Sequence, residues 1–468
     1  MTALRLRVAG QFGLSVDEAH YVLYGKLLDW SYFDHPPLVG WVQALFHLLP
    51  LEHHFQARLS AILISVLTSF LLLMFLKNKT GSEKNAMFAV IALNLTPMFN
   101  VMSVALLPDT LLMPLTLLIV MSTEKIIEEP PSYPNWLSLG TCLGLAGLTK
   151  YTAALYVIAL IFIFIFKKRI KEILRLQLWV GVTVALLLIS PVLYWNVKNN
   201  WISFKYQSDH VFAFDSESLK NFGASLIIQL ISWGIGPFLL SFFVFFNSLI
   251  NVRNNRKSAS YFVSLVFLSI FLLFFIYIAL STPLLPHWML IFFVVLIPIS
   301  LVQLLDQKKF LKVTLVSFGI SAVLSLLLLL ELGFKIFPPQ LTATLYEGIT
   351  GWESIITEAN EKLEKASNPK KALAVMNWTL GSRAMYYNKS DSPVFVIDAR
   401  FDQFDIWAKE SNLGFDFIAV IEATKLKEHL EHLNCAQLTA AGERKTLIKD
   451  VPVNHFLYYH CANFLGYK

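Results

Sequence analysis

Residues Tyr261–Leu280 read YFVSLVFLSIFLLFFIYIAL, an uninterrupted apolar stretch without a single charge. As an α-helix it reaches about 30 Å, the thickness of a bilayer's hydrocarbon layer. The run is not isolated. Comparable apolar runs lie at Phe55–Phe75, Ala86–Leu107, Thr110–Ile126, Trp136–Thr149, Tyr151–Phe166, Leu176–Tyr194, Phe222–Ile250, Trp288–Leu305 and Val313–Leu332. The whole chain follows suit: of 468 residues 56% are hydrophobic, 15% are charged and 38 are Phe. Soluble domains carry about 25% charged residues, and one soluble core could not bury this much apolar surface. The sequence therefore predicts a polytopic α-helical membrane protein of about ten spans.

Loop charges test that count. Lys77, Lys79 and Lys84 share one loop; Lys167, Lys168, Arg169, Lys171 and Arg175 another; Arg253, Arg256 and Lys257 a third; Lys308, Lys309 and Lys312 a fourth. Short cytoplasmic loops are enriched in Lys and Arg, and ten alternating spans put all four loops on that side. The net charge of +6 is accounted for in the same way and does not call for nucleic acid as a partner. Alternation then places Asp17-Glu18, Asp34–Leu38, Pro108-Asp109, Lys150, the 196–221 loop, the 281–288 loop and everything after Leu332 outside. Residues Met1–Leu14 are too short and too basic to span and make a poor signal peptide. Since the next loop must begin outside, an eleventh span upstream of them is the expectation, with a segment lying along the interface as the alternative.

Past Leu332 the composition becomes charged and mixed, and strand-like AVMNWTL, PVFVIDA and FDFIAVIEA alternate with helix-like KLKEHLEHL. This predicts a membrane domain over 1–334 and a small extracytoplasmic α/β domain over 335–468. Of the three cysteines, Cys142 lies in an apolar run, and Cys435 and Cys461 could pair in an oxidising space; spacing alone does not decide it.

Acids beside a membrane are costly unless they have work or water, so Asp17, Glu18 and Asp109 are the candidate catalytic residues. Each also has a plain structural reading: Asp17 and Glu18 as first-turn acids complementing a helix dipole, Pro108-Asp109 as a helix start. Two carboxylates on one membrane face suit general-base work or the holding of a hydroxyl acceptor. Arg58, Lys150, His35, His210 and His287 supply cationic or hydrogen-bonding groups that together could hold a phosphate, while Arg58 and Lys150 could instead snorkel to headgroups. A divalent metal held by Asp34, His35 and another external His is a further reading, and no tight ligand spacing supports it.

VDEAHY, YFDHPPLVGW, RLSAIL, LLPDTLLMPL, GLTKYTA, PVLYWN, WISFKYQSDH and PHWML, in that order, resemble the bacterial ArnT-like branch of the GT-C glycosyltransferases. This branch is related to the protein O-mannosyltransferases and to the aminoarabinose transferases of lipid A. GITGWES and NWTLGSRAMYYN are similar to its outer domain. The resemblance implies a GT-C helix bundle in the bacterial inner membrane, with its site facing the periplasm. It implies transfer of a sugar from a polyprenyl-phosphate donor to lipid A, another glycan or a protein, with no certain cofactor. Asp17 would be the prime catalytic residue, Glu18 its neighbour and Asp109 the second acid. Lys150, Arg58, His35, Tyr32, Gln207, His210 and His287 would surround donor phosphate and substrate. The family's acidic–Lys–Pro loop matches Asp34-His35-Pro36-Pro37, with His35 in place of the lysine. A transporter, or a non-catalytic scaffold for envelope lipid or polysaccharide, are the readings from other classes. A transporter would be expected to show internal repeats and broken helices at midplane.

Overall fold

A computed structural model describes residues 1–212, 218–251, 259–408 and 410–467. The chain divides into two compact units. The first comprises Met1–Arg7, Asp29–Val42 and Arg58–Leu330; the second comprises Val8–Leu28, Gln43–Ala57 and Glu331–Lys468. The composition boundary at 334/335 therefore lies within a few residues of the main division. It does not reveal the two N-terminal segments that fold with the C-terminal part.

The first unit is helical. Five described helices are long and apolar enough to cross a membrane: His53–Thr80, Pro108–Glu128, Leu176–Lys198, Tyr261–Ser281 and Lys308–Phe334. The other apolar runs are helical but shorter or broken. The run expected over 86–107 divides into Glu83–Asn94 and Pro97–Met102, because Pro97 cannot continue a helix but starts one well. The run expected over 222–250 is a bent pair, Ser218–Trp233 and Ile235–Ile250, which turn through 110°. Gly234 sits between them at φ +87°, a conformation costly for any residue with a Cβ. Counting the pair as one span gives six. The Arg253, Arg256 and Lys257 cluster lies outside the described residues.

Leu290–Leu305 is the unit's innermost helix. All its residues except Gln303 and Leu305 are buried, under Glu83–Asn94, Pro108–Glu128, Ile235–Ile250 and Ala259–Ser281. That burial explains why it is apolar on every side. Tyr133–Gly147 and Leu176–Lys198 make the closest helix pair. A Cβ on Gly140 would stand 2.1 Å from the Gly181 carbonyl oxygen, and one on Gly144 would stand 2.7 Å from Leu188. Gly140 and Gly144, four residues apart, let the two backbones approach, as small residues do at helix interfaces in lipid. The first helix ends at Gly147, and a two-residue turn leads into Lys150.

In the second unit five strands form one mixed sheet: β1 (Lys371–Val375), β2 (Val394–Val396), β3 (Asp416–Glu422), β4 (Leu433–Ile448) and β5 (Val451–Tyr467), in the order β2-β1-β3-β5-β4. β1 is parallel to β2 and β3, whereas β5 is antiparallel to β3 and β4. Period-two alternation splits β1 between two cores. Leu373 and Val375 pack with Trp352, Ile355 and Ile356 of helix Trp352–Leu363 and with Leu380 and Ala384 of helix Trp378–Tyr387. Ala372 and Ala374 pack on the other face with Phe395 and Phe417, beside Leu426 and Leu430.

The expected α/β pattern is present, with two differences. The strand read over AVMNWTL stops at Val375, because the Asn377 side chain accepts from the Leu380 N–H and caps the next helix. The long β4–β5 hairpin was not expected. It turns at Lys449 (φ +44°) and Asp450 (φ +68°), the positive-φ pair of a tight hairpin turn. Cys435 on β4 and Cys461 on β5 are disulfide-bonded, with Cα atoms 5.4 Å apart.

Candidate active site

In the first unit two of the sequence-predicted residues, Lys150 and His287, converge on Asp109. Pro108 opens the helix Pro108–Glu128 and leaves Asp109 in its first turn, so the structural reading of a helix start holds. The carboxylate nevertheless does more than complement the dipole. Lys150 Nζ donates to both of its oxygens, each at 2.8 Å, and His287 Nε2 lies 3.9 Å from Oδ2. Asp109 is 2% exposed, so its charge sits out of water and needs these partners. Lys150 is reached because the chain turns at Leu148 and Thr149, becomes extended at Lys150 itself and begins a new turn at Tyr151–Ala153. Its charge faces a buried acid, not headgroups.

The aromatic loop after Asp29 is braced from several sides. Trp195 Nε1 donates to Asp29 Oδ2 at 2.8 Å, Trp41 Nε1 donates to the Asp29 carbonyl, and the Asp29 N–H donates to the Tyr32 hydroxyl. Ser203 donates to the Tyr32 carbonyl, and Gln207 Nε2 donates to the Asp34 carbonyl at 2.9 Å. Tyr32 is fully buried, so Tyr32 and Gln207 shape the loop through its backbone. The Leu38 N–H donates to the Leu148 carbonyl, tying the loop to the segment that carries Lys150. Tyr151's hydroxyl lies among Ser31, Asn196 and Ser203 and tightens the same junction.

Asp34 and His35 pair with each other at 3.1 Å. Among the described residues no group of three or more His, Cys, Asp or Glu could hold a metal ion, so the geometry adds no further ligand to that pair. Arg58 is fully buried and is not a headgroup anchor. His210 falls in helix Ile202–Phe212, but its side chain lies outside the described residues. Asp29 and Trp195 were missed by sequence reasoning. The cue available was an acid opening an aromatic loop.

A long apolar groove of about 640 Å³ runs along helix Ala154–Phe166. Lys150 and Tyr151 line it at one end of that helix and Arg169 and Glu172 at the other. Leu139, Val157, Leu186 and Leu193 are among the residues between.

Asp17 and Glu18 belong to the second unit, on helix Val16–Lys26. The neighbouring acids divide in role. Glu18 Oε2 accepts from both the Ser15 N–H (2.9 Å) and the Ser15 hydroxyl (3.0 Å), completing a capping box, a more specific structural role than the dipole complement expected of it. Asp17, half-buried one residue earlier, has neither a hydrogen bond nor an ion pair among the described residues.

The helix packs on Trp378–Tyr387 through a feature the sequence did not announce. His20 is buried, its Nδ1 lies 3.0 Å from Ser382 Oγ, and its ring is surrounded by Tyr24, Trp378, Phe404 and Trp407. Its place three residues after Asp17, on the same side of a helix, was the available signal.

Asp402 borders this cluster and caps the short helix Gln403–Trp407, accepting from the Phe404 N–H at 2.8 Å. Burial pushes its carboxyl from 3.8 up to about 6, against the lowering effect of that N–H. A raised folded pKa means stability that is complete below the unfolded value and lost as pH rises through about 6. Between pH 5 and 7.5 the wild type should therefore lose thermal stability relative to Asp402→Asn, by a margin on the order of 2 kcal/mol at most. Asn retains the cap, so parallel melting-temperature curves for the two proteins would refute this account.

Residues 34–195 match the family model described as dolichyl-phosphate-mannose-protein mannosyltransferase. That range includes Asp34, His35, Arg58, Asp109 and Lys150 but not Asp17. The lipid A galacturonosyltransferase RgtD of Rhizobium johnstonii is 26% identical over 199 residues, 42% of this chain and 41% of that protein. The chain thus spans about two-fifths of the length of the curated relative it matches. Two crystal structures of ArnT from Cupriavidus metallidurans, one in the apo state and one bound to undecaprenyl phosphate, superpose with TM-scores of 0.65. They do so over 98% of this chain and 96% of theirs, at 15% and 16% identity. The fold is therefore that of an ArnT-like GT-C protein. In sequence and in fold this chain is similar to ArnT-like, PMT_2-type glycosyltransferases, as its motifs implied.

Proposed function

We propose that the protein is an inner-membrane glycosyltransferase that moves a sugar from a polyprenyl-phosphate donor to a lipid A-type acceptor on the periplasmic face. The observation that carries this reading is the buried Lys150–Asp109 pair, with His287 beside it, where the apolar groove begins. An isoprenoid tail would occupy the groove, and its phosphate would meet Lys150 and His287, with His35 and Arg58 as further candidate cationic groups. ArnT's binding of undecaprenyl phosphate and RgtD's action on lipid A support the choice of donor and acceptor class. The Cys435–Cys461 disulfide supports an oxidising compartment for the second unit.

The chemistry follows from where charge develops. The acceptor hydroxyl oxygen attacks the sugar's anomeric carbon as the bond from that carbon to the phosphate oxygen breaks. The electron pair leaves on the lipid phosphate, where cations stabilise it. Asp17, whose side chain is uncommitted among the described residues, takes the hydroxyl proton. One displacement inverts the anomeric centre. If the acceptor atom is a phosphate oxygen, no base is needed and Asp17 positions it. Asp109 holds Lys150 at the phosphate by pairing with it.

Titrating purified wild type and Leu186→Trp with undecaprenyl phosphate tests the groove. Leu186 lines it and is 53% exposed, so the bulky ring should block the lipid without disturbing a core. Weaker binding by roughly ten-fold, about 1.4 kcal/mol, is expected; an unchanged titration would remove the groove as the donor site. Mass spectrometry of lipid A and other envelope glycans from a deletion strain would name the acceptor. Reporter fusions at Lys468 must report the periplasm.

A further inference from the structure

A second cavity, of about 800 Å³, opens entirely within the second unit along helix Trp352–Leu363. Its volume falls in the roughly 300–1,000 Å³ range of small-molecule sites, and nothing in the transfer chemistry above uses it. Its lining is polar and balanced in charge: Glu353, Glu358 and Glu361 against Lys362, Lys365 and Arg444.

Most of these groups are committed. Glu358 pairs with Lys362 at 3.2 Å and with Arg444 at 3.4 Å, and Glu353 pairs with Lys389. Glu361 and Lys365 are not: among the described residues neither has an ion pair or a side-chain hydrogen bond. Trp352 contributes to the lining but is 2% exposed and packs in the sheet's core.

We propose that this groove docks the saccharide part of the acceptor. A dianionic phosphate would face as many carboxylates as cations and gain little. A peptide with apolar side chains would find few apolar partners. A polyol both donates and accepts at every hydroxyl, which matches an uncommitted carboxylate and an uncommitted ammonium. The word acceptor rests on the transferase reading, but the binding of saccharide does not.

The test uses the full chain in lipid nanodiscs and a glucosamine disaccharide as probe, followed by saturation-transfer NMR and calorimetry. Wild type should bind it. Glu361→Gln with Lys365→Gln, both exposed and unpaired, should weaken binding roughly ten-fold by removing two charge-assisted hydrogen bonds. Thr357→Trp, an exposed position in the lining, should block the groove and abolish binding. Undecaprenyl phosphate titrations should be the same in all three proteins, and with lipid acceptor the variants should raise KM while leaving kcat unchanged. Wild-type affinity in both variants would overturn the proposal, as would capture of a mixed-charge peptide with no saccharide binding. Saccharide binding that the variants weaken, in a protein that ignores undecaprenyl phosphate, would sustain the groove and sink the donor assignment instead.

Discussion

Lys150→Ala and Asp109→Ala should each destabilise the protein more than the double substitution does. Either single change strands a buried charge, at a cost of about 3–5 kcal/mol, whereas removing both leaves an uncharged, underpacked site. Asp109 is almost wholly buried and both its oxygens are taken up by Lys150 Nζ, so the coupling between the two should be large and of opposite sign to the single effects. Melting temperatures of the four proteins in the same detergent measure it; strictly additive losses would mean the pair is not a unit. Donor binding separates structure from function. The double variant should regain stability but not affinity for undecaprenyl phosphate, and Lys150→Arg should keep part of both. A headgroup anchor at Lys150 would show neither the coupling nor the loss of binding.

The second large effect belongs to Asp17. Asp17→Asn should lower turnover by about 10²–10⁴-fold, the usual contribution of a positioned acid or base, with no shift in melting temperature. The reason is that, among the described residues, the Asp17 side chain makes no hydrogen bond or ion pair that its loss would break. Glu18→Gln should do the opposite of what adjacency suggests: Gln serves a capping box nearly as well, so both activity and stability should remain close to wild type. Product measured against protein level in a complemented deletion strain reads both. Near-normal product from Asp17→Asn would take the catalytic role away from this helix.

The contrast between those two acids shows where reading the chain stops. Ser15-x-x-Glu18 is a capping signature visible in the sequence, yet the acid doublet beside aromatics drew both residues into the chemistry. Asp109 and Lys150 were both legible as candidates. Their meeting was not, because they are 41 residues apart, and it is the packing of helix Tyr133–Gly147 on Pro108–Glu128, with the turn after Gly147, that brings the second to the first. Long apolar runs identified the helices, but uniform composition hid the bend at Gly234 and the break at Pro97. Strand-like runs marked β2 and β3 and caught only the last two residues of β1. Alternation failed for β4, whose NCAQLTAAGERKTLI mixes charge and small residues on an edge strand, where little is buried to enforce a pattern.

The segment Val8–Leu28, for its part, folds with residues more than three hundred positions away, through Leu14, Ala19 and Val22 beside Tyr386 and through His20 on Ser382. Asp17 is thus carried by the same compact body as the C-terminal sheet. That body cannot be exchanged as a cassette. A chimaera that grafts a relative's C-terminal part onto this membrane bundle would leave the acid's helix on a foreign seat, and only grafts that move Val8–Leu28 and Gln43–Ala57 together with the tail should keep their register.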